Sequence, residues 1–443
     1  MTGPSPGARG RWLTAAGAAV AVLFLAKAVY RGLTFTRGDF YFTLPGEYAA
    51  RWNPVLWQSP DLQLALQYNH GGYIYGPVQY LALFPIVFLD SYASIATALL
   101  VAYPVVALGA AVLLWRLVRR DEGRDPVALA GVMAVVFAFL PLTQALVQRE
   151  FEVVTLLMLA ATCLLFARGR YAASGAVLAC MTWFKYWPML LLIPFVVHRR
   201  FRGVAAFVGM SAAILLATQL VFGLQHFVIP KTVGIVGGLV RPLGGGEVLY
   251  PVIPRGAAKS DFCRQWIPGR GTQADARWAL CGIQDRFPAV PAKAVFIGVV
   301  ALTAALFFWS AVGLDRRWAD PAVARWASIW EFSVLAIGGA AFLHAHFYYF
   351  VVFLLPLTAL LCRYATRPGP WRRAELGAWV ATYLLLNAFL VPPSLASGVL
   401  GVDAWALYLD SGLPFLGTLL LLGLVLRELT RLAGAPRPSA VAA

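Results

Sequence analysis

The chain has 443 residues, 60% of them hydrophobic and only 13% charged, with a mean hydropathy of +0.72. Soluble domains are about 45–50% apolar and about 25% charged, so the composition excludes an ordinary soluble protein. With apolar runs long enough to cross a bilayer, it predicts an all-α, polytopic membrane protein. The net charge of +16 does not call for nucleic acid, because no nucleic-acid motif accompanies it. Its arginines cluster in short segments between apolar runs: Arg116, Arg119, Arg120 and Arg124; Arg168 and Arg170; Arg199, Arg200 and Arg202; Arg316 and Arg317; Arg363, Arg367, Arg372 and Arg373; Arg427 and Arg431. Short Arg-rich loops mark the cytoplasmic side.

Fixing those loops inside sets the path of the chain. Met1 to Arg11 is short and basic, and the run after it exceeds a usual signal-peptide core, so the first span, Trp12–Tyr30, is expected to stay uncleaved and run outward. A first outer loop follows over 32–75. Residues 77–88 are apolar but too short for a full span, and Tyr92–Val118 returns to the inside. Pro126–Leu142 then runs outward and Phe151–Phe166 inward, joined by Gln144–Glu150. Tyr171–Phe184 and Pro188–Val197 are two short apolar pieces broken at Lys185-Tyr186-Trp187-Pro188, because proline ends or kinks a helix. Val204–Phe222 leads out to a second outer loop, 223–290. The remaining spans are Ala294–Leu314, Ile329–Leu343, Phe347–Leu361, Leu376–Val391 and Leu413–Leu426.

The expected architecture is therefore about twelve membrane segments with both termini cytoplasmic, in a plasma membrane, with short interfacial helices in the two long outer loops. It divides into an N-terminal membrane module over 1–222, the loop 223–290 and a C-terminal membrane module over 291–443. Cys163, Cys180 and Cys362 fall in or beside spans, whereas Cys263 and Cys281 share the second outer loop. A disulfide between the last two suits an oxidising compartment, but spacing alone leaves it open.

Chemistry-bearing residues gather at the outer ends of the spans. Asp39 opens the first outer loop, near the membrane surface, ahead of Tyr41, Glu47 and Tyr75. Long ordered loops tend to be functional, which makes Asp39 a candidate base; the alternative is an aromatic belt with solvated charges. Lys185 is an ammonium between two half-helices, and intramembrane ionisable groups are functional candidates; a lipid phosphate is its expected partner, snorkelling the alternative. Gln148, Arg149, Glu150 and Glu152 form a third group, in which the guanidinium could grip phosphate or the two carboxylates could simply sit well at a helix N-terminus. His344 and His346 lack the further ligands a zinc site needs and suit a phosphate better, so no metal and no cofactor is expected. The second outer loop carries Lys231, Arg241, Arg255, Lys259, Arg264, Arg270, Arg277 and Arg286, consistent either with attraction to anionic substrates or with charge-indifferent export of a long loop.

In their order these pieces resemble the GT-C superfamily of membrane glycosyltransferases, and within it glycosyltransferase family 87, which includes mycobacterial mannosyltransferases that build phosphatidylinositol mannosides. Asp39-Phe40-Tyr41, Gly46-Glu47-Tyr48, Tyr75-Gly76-Pro77, Lys185-Tyr186-Trp187-Pro188 and His344 or His346 with Tyr348-Tyr349 carry the likeness. Gln148-Arg149-Glu150 departs from the Gly-Gln-x-Asn element that the family shows there. The resemblance implies an inverting transfer of a sugar, mannose first, from a polyprenyl-phosphate donor to a glycolipid or glycan acceptor at the outer face. Asp39 would be the general base. Lys185, Arg149, His344 and His346 would take the donor phosphate, and Tyr41, Glu47, Tyr75, Gln148 and Glu150 would contact substrate. Membrane lipids are the other expected partners. An arabinofuranosyl- or protein mannosyltransferase, or a lipid or sugar transporter or flippase, reads much the same.

Overall fold

A computed structural model describes residues 6–34, 92–119, 126–148, 150–185, 187–222, 276–315, 317–342, 347–366, 369, 372–387, 408–409 and 411–434. All regular structure among them is helical. Among the described residues five helices are long and apolar enough to cross a membrane: Gly10–Leu33, Thr97–Val118, Ala292–Asp315, Phe347–Thr366 and Leu413–Gly434. One bent helix pair raises that number to six. The expected count of about twelve also takes in shorter helices; sixteen residues of α-helix rise only about 24 Å, against a hydrocarbon core of about 30 Å.

The chain forms two compact units. The first takes Met1–Thr162, Ala172–Met189 and Arg202–Gln265. Its helices are α1 (Pro6–Thr34), α2 (Tyr92–Val118), α3 (Pro126–Phe137) and α4 (Leu140–Gln148), then most of α5 (Glu152–Ala167) and α6 (Tyr171–Phe184), and α8 (Phe201–Phe222). Helix α1 lies along α3, and the backbones approach so closely that a Cβ on Gly17 would stand 2.8 Å from the Ala130 carbonyl oxygen. Between α6 and α8 the approach is tighter still: a Cβ on Gly175 would run into the Gly203 carbonyl oxygen. Glycine at such crossings lets membrane helices pack backbone to backbone.

Three interruptions mark this unit. Pro104 lies inside α2, where it offers no N–H to the Leu100 carbonyl. The run expected as one span over Pro126–Leu142 is two helices, α3 and α4, bent by 61° at Ala138-Phe139. Pro141, near the start of α4, cannot continue the hydrogen-bond ladder of α3. The third break follows α6, where Pro188 stops the helix and a 3-10 helix, Trp187–Leu192, takes over. Bilayer-depth backbone of this kind is tolerated where protein or a polar cavity meets the freed groups.

The second unit takes Cys163–Tyr171, Leu190–Phe201 and Trp266–Ala443. It holds α7 (Ile193–Val197), α9 (Ala276–Arg286), α10 (Ala292–Asp315), α11 (Pro321–Phe342), α12 (Leu354–Thr366), α13 (Arg372–Asn387) and α14 (Leu413–Gly434). A 3-10 helix, Phe347–Phe353, leads into α12, and 78% of that apolar stretch is buried against 17% for α10. The Phe347–Thr366 stretch is thus the central strut, while α10 turns Phe308, Trp309 and Val312 outward. Glu375 of α13 accepts hydrogen bonds from Arg427 (2.8 Å) and Arg431 (3.0 Å) of α14, and Glu428 accepts from Arg431 (3.2 Å). Arginines of the expected inner loops therefore also tie helix ends together. Cys281, in α9, is disulfide-bonded, whereas Cys163, Cys180 and Cys362 take part in no disulfide. Its expected partner Cys263 lies outside the described residues.

Candidate functional site

The charged group in the first unit is built by a helical hairpin. Helices α5 and α6 run antiparallel. Ser174 donates to the Thr162 carbonyl (2.7 Å) near the closed end of the hairpin, and Lys185 pairs with Glu152 at the open end. Glu152 sits in the first turn of α5, where the helix dipole favours a negative charge. Lys185 follows the last turn of α6, its N–H bonded to the Met181 carbonyl at 3.1 Å, where the dipole favours a cation. The two helix ends thus prepare the pair that closes across them. Both side chains are almost fully buried, at 6% and 2% exposure for Lys185 and Glu152.

The turn before α5 brings in more polar groups. Glu150 is buried, and its N–H closes the end of α4 on the Ala145 carbonyl at 2.8 Å. Its carboxylate lies close enough to act electrostatically on both Lys185 and Tyr103. The aromatic side of the group is Phe151, tilted against Phe184 at 5.3 Å and edge-on to Tyr103 at 6.0 Å. One ammonium therefore faces two carboxylates behind an aromatic wall.

Of the residues expected to form the site, the structure brings together Lys185 and Glu150, with Gln148 at the end of α4, two positions before Glu150. Lys185 is paired with Glu152, because the hairpin register sets the two helix ends side by side. Asp39, Tyr41, Glu47, Tyr75, Arg149, His344 and His346 lie outside the described residues. Tyr103 was not singled out by the sequence, since a tyrosine in the middle of an apolar span carries no distinguishing pattern.

A second buried charged group lies within the second unit. At the end of α7, His198 is hydrogen-bonded through Nε2 with the carboxyl of Glu331 (3.0 Å to each oxygen) and through Nδ1 with Asp315 (3.3 Å). Its ring stacks on Trp318 at 3.8 Å, and Arg200 lies over Tyr171 at 4.8 Å. Glu331 is fully buried in mid-helix; it is the single acid of α11 and a signal that the sequence did carry. Among the described residues no group of three or more His, Cys, Asp or Glu could hold a metal ion.

Residues 73–232 match the model of glycosyltransferase family 87. The match covers Gln148, Glu150, Glu152 and Lys185, and supports a membrane glycosyltransferase of the GT-C type, which implies a sugar donor and an acceptor. No curated protein matches the chain.

Proposed function

We propose that the chain is an inverting membrane glycosyltransferase that moves a sugar, with mannose the first candidate, from a polyprenyl-phosphate donor to a glycolipid or glycan acceptor at the outer face of the plasma membrane. The observation that carries the reading is the family match over residues 73–232, within which the buried group around Lys185 falls. Asp39 is the base: an aspartate, with a reference pKa of about 3.9, is ionised at neutral pH and ready to take the proton of the acceptor hydroxyl. That hydroxyl attacks the anomeric carbon on the face opposite the leaving phosphate, the C–O bond to the carrier breaks, and polyprenyl phosphate departs as the anion. Negative charge grows on the leaving phosphate, so cations placed there lower the barrier.

Arg149, His344 and His346 are candidates for that role, and Lys185 joins them by exchanging its bond to Glu152 for one to the phosphate. Tyr41, Glu47, Tyr75, Gln148 and Glu150 are the proposed substrate contacts. Arabinofuranosyl transfer and mannosyl transfer to protein are variants of the same chemistry. The interrupted helices of the first unit and its buried ion pair also suit a transporter, the one reading of a different class that a structural feature favours.

The test is transfer of labelled mannose from polyprenyl-phosphate mannose into a lipid extract by the purified chain. Wild type is expected to transfer, and Asp39→Asn, which keeps the size and removes the base, is expected to lose at least about 100-fold in kcat. Equal transfer by both removes Asp39 from the mechanism. No transfer by wild type, with donor and acceptors shown competent by another enzyme, rejects this donor.

A further inference from the structure

The hydroxyl of Tyr103 is out of place. The side chain is 3% exposed and its ring is packed edge-on to Phe151, yet its oxygen has no hydrogen-bond partner. Buried tyrosine hydroxyls usually find one, and leaving one without costs folding free energy. Phenylalanine would fill the same space without that cost. The next residue, Pro104, interrupts the hydrogen-bond ladder of α2 at this level.

Two acceptors come from the residues just before Phe151, the ring on which Tyr103 packs. Glu150 acts electrostatically on Tyr103 without an intervening hydrogen bond between them. Gln148 ends α4, which packs on α2, and its Oε1 is buried without a partner. A phosphate is poorly matched to this corner, because its oxygens would face a carboxylate and an amide oxygen that are themselves acceptors. Hydroxyl groups match it well: one can donate to Glu150 or Gln148 while accepting from Tyr103.

We propose that Tyr103, with Gln148 and Glu150, forms a subsite that reads hydroxyls of the transferred sugar, distinct in chemistry from the cations that take the phosphate. The inference rests on the glycosyltransferase reading above and adds Tyr103 as a residue that binds substrate.

The test is Tyr103→Phe in the purified full chain, with two readouts. In transfer from polyprenyl-phosphate mannose, kcat/KM is expected to fall roughly 5- to 10-fold, the loss of one net hydrogen bond, while the melting temperature without ligand stays level or rises. In thermal-shift titrations, wild type is expected to gain more from polyprenyl-phosphate mannose than from polyprenyl phosphate, and the variant to lose that extra gain while keeping the response to polyprenyl phosphate. A variant with wild-type kcat/KM and an intact sugar-dependent gain overturns the subsite and leaves the transferase reading standing. A lowered melting temperature with both ligand responses reduced alike also overturns it, since the hydroxyl would then be structural. Wild type that neither transfers mannose nor distinguishes the two lipids refutes the transferase reading and the subsite with it.

Discussion

Lys185→Met is expected to abolish sugar transfer and to lower folding stability by about 3–5 kcal/mol, the usual consequence of removing one partner from a buried ion pair. The cost arises at Glu152, which is 2% exposed and loses the charge that neutralises it. Adding Glu152→Leu removes the stranded carboxylate, so Lys185→Met/Glu152→Leu is expected to recover most of the lost stability, read as melting temperature in detergent. Transfer is expected to stay absent in the double variant, because the ammonium that would meet the leaving phosphate is gone. Stability and activity thus separate. A double variant that regains transfer along with stability would make Lys185 a structural counter-ion and nothing more.

The second large effect falls in the other unit and is expected to touch stability alone. His198→Ala leaves the Glu331 carboxyl enclosed without its imidazole partner, and by the same argument is expected to cost about 3–5 kcal/mol. Replacing both as His198→Leu/Glu331→Leu is expected to restore much of the melting temperature. Asp315 is exposed by 45% and meets water once the imidazole is lost, so its removal changes little. The folded fraction of either His198 variant is expected to transfer sugar at the wild-type rate per molecule, since the proposed chemistry does not use this group. A His198→Ala chain as stable as wild type would show that Glu331 is neutral or has another partner in solution.

These two groups also show what a reading of the sequence reaches. Helix α6 was legible end to end as Tyr171–Phe184, because Gly169 precedes it and Pro188 forbids its continuation. The span Tyr92–Val118 was legible for the same kind of reason, an unbroken apolar run between polar ends. The bend within Pro126–Leu142 was missed, although Pro141 was its signal. Lys185 stood out as an intramembrane charge, but its pairing with Glu152 depends on the hairpin register, which no local pattern states. His198, next to Arg199 and Arg200, was not singled out; its partner Glu331 is 133 residues away in the chain, and only the fold brings them together. Tyr103 had no signal at all, since what distinguishes it is a hydroxyl without a partner. Asp39, on which the proposed chemistry turns, was legible only from its place after the first span and from the order of motifs behind it.

The proposal that the chain breaks a sugar–phosphate bond, rather than carrying an intact lipid across the bilayer, is tested most directly with a doubly labelled donor. The purified chain is reconstituted in liposomes with polyprenyl-phosphate mannose labelled separately in the sugar and in the lipid, together with acceptor lipids. The glycosyltransferase account predicts that the sugar label moves to acceptor with inverted anomeric configuration, matched mole for mole by unglycosylated polyprenyl phosphate bearing the lipid label. Both labels crossing the bilayer together, on a donor that remains chemically intact, would contradict it and establish the transporter reading instead.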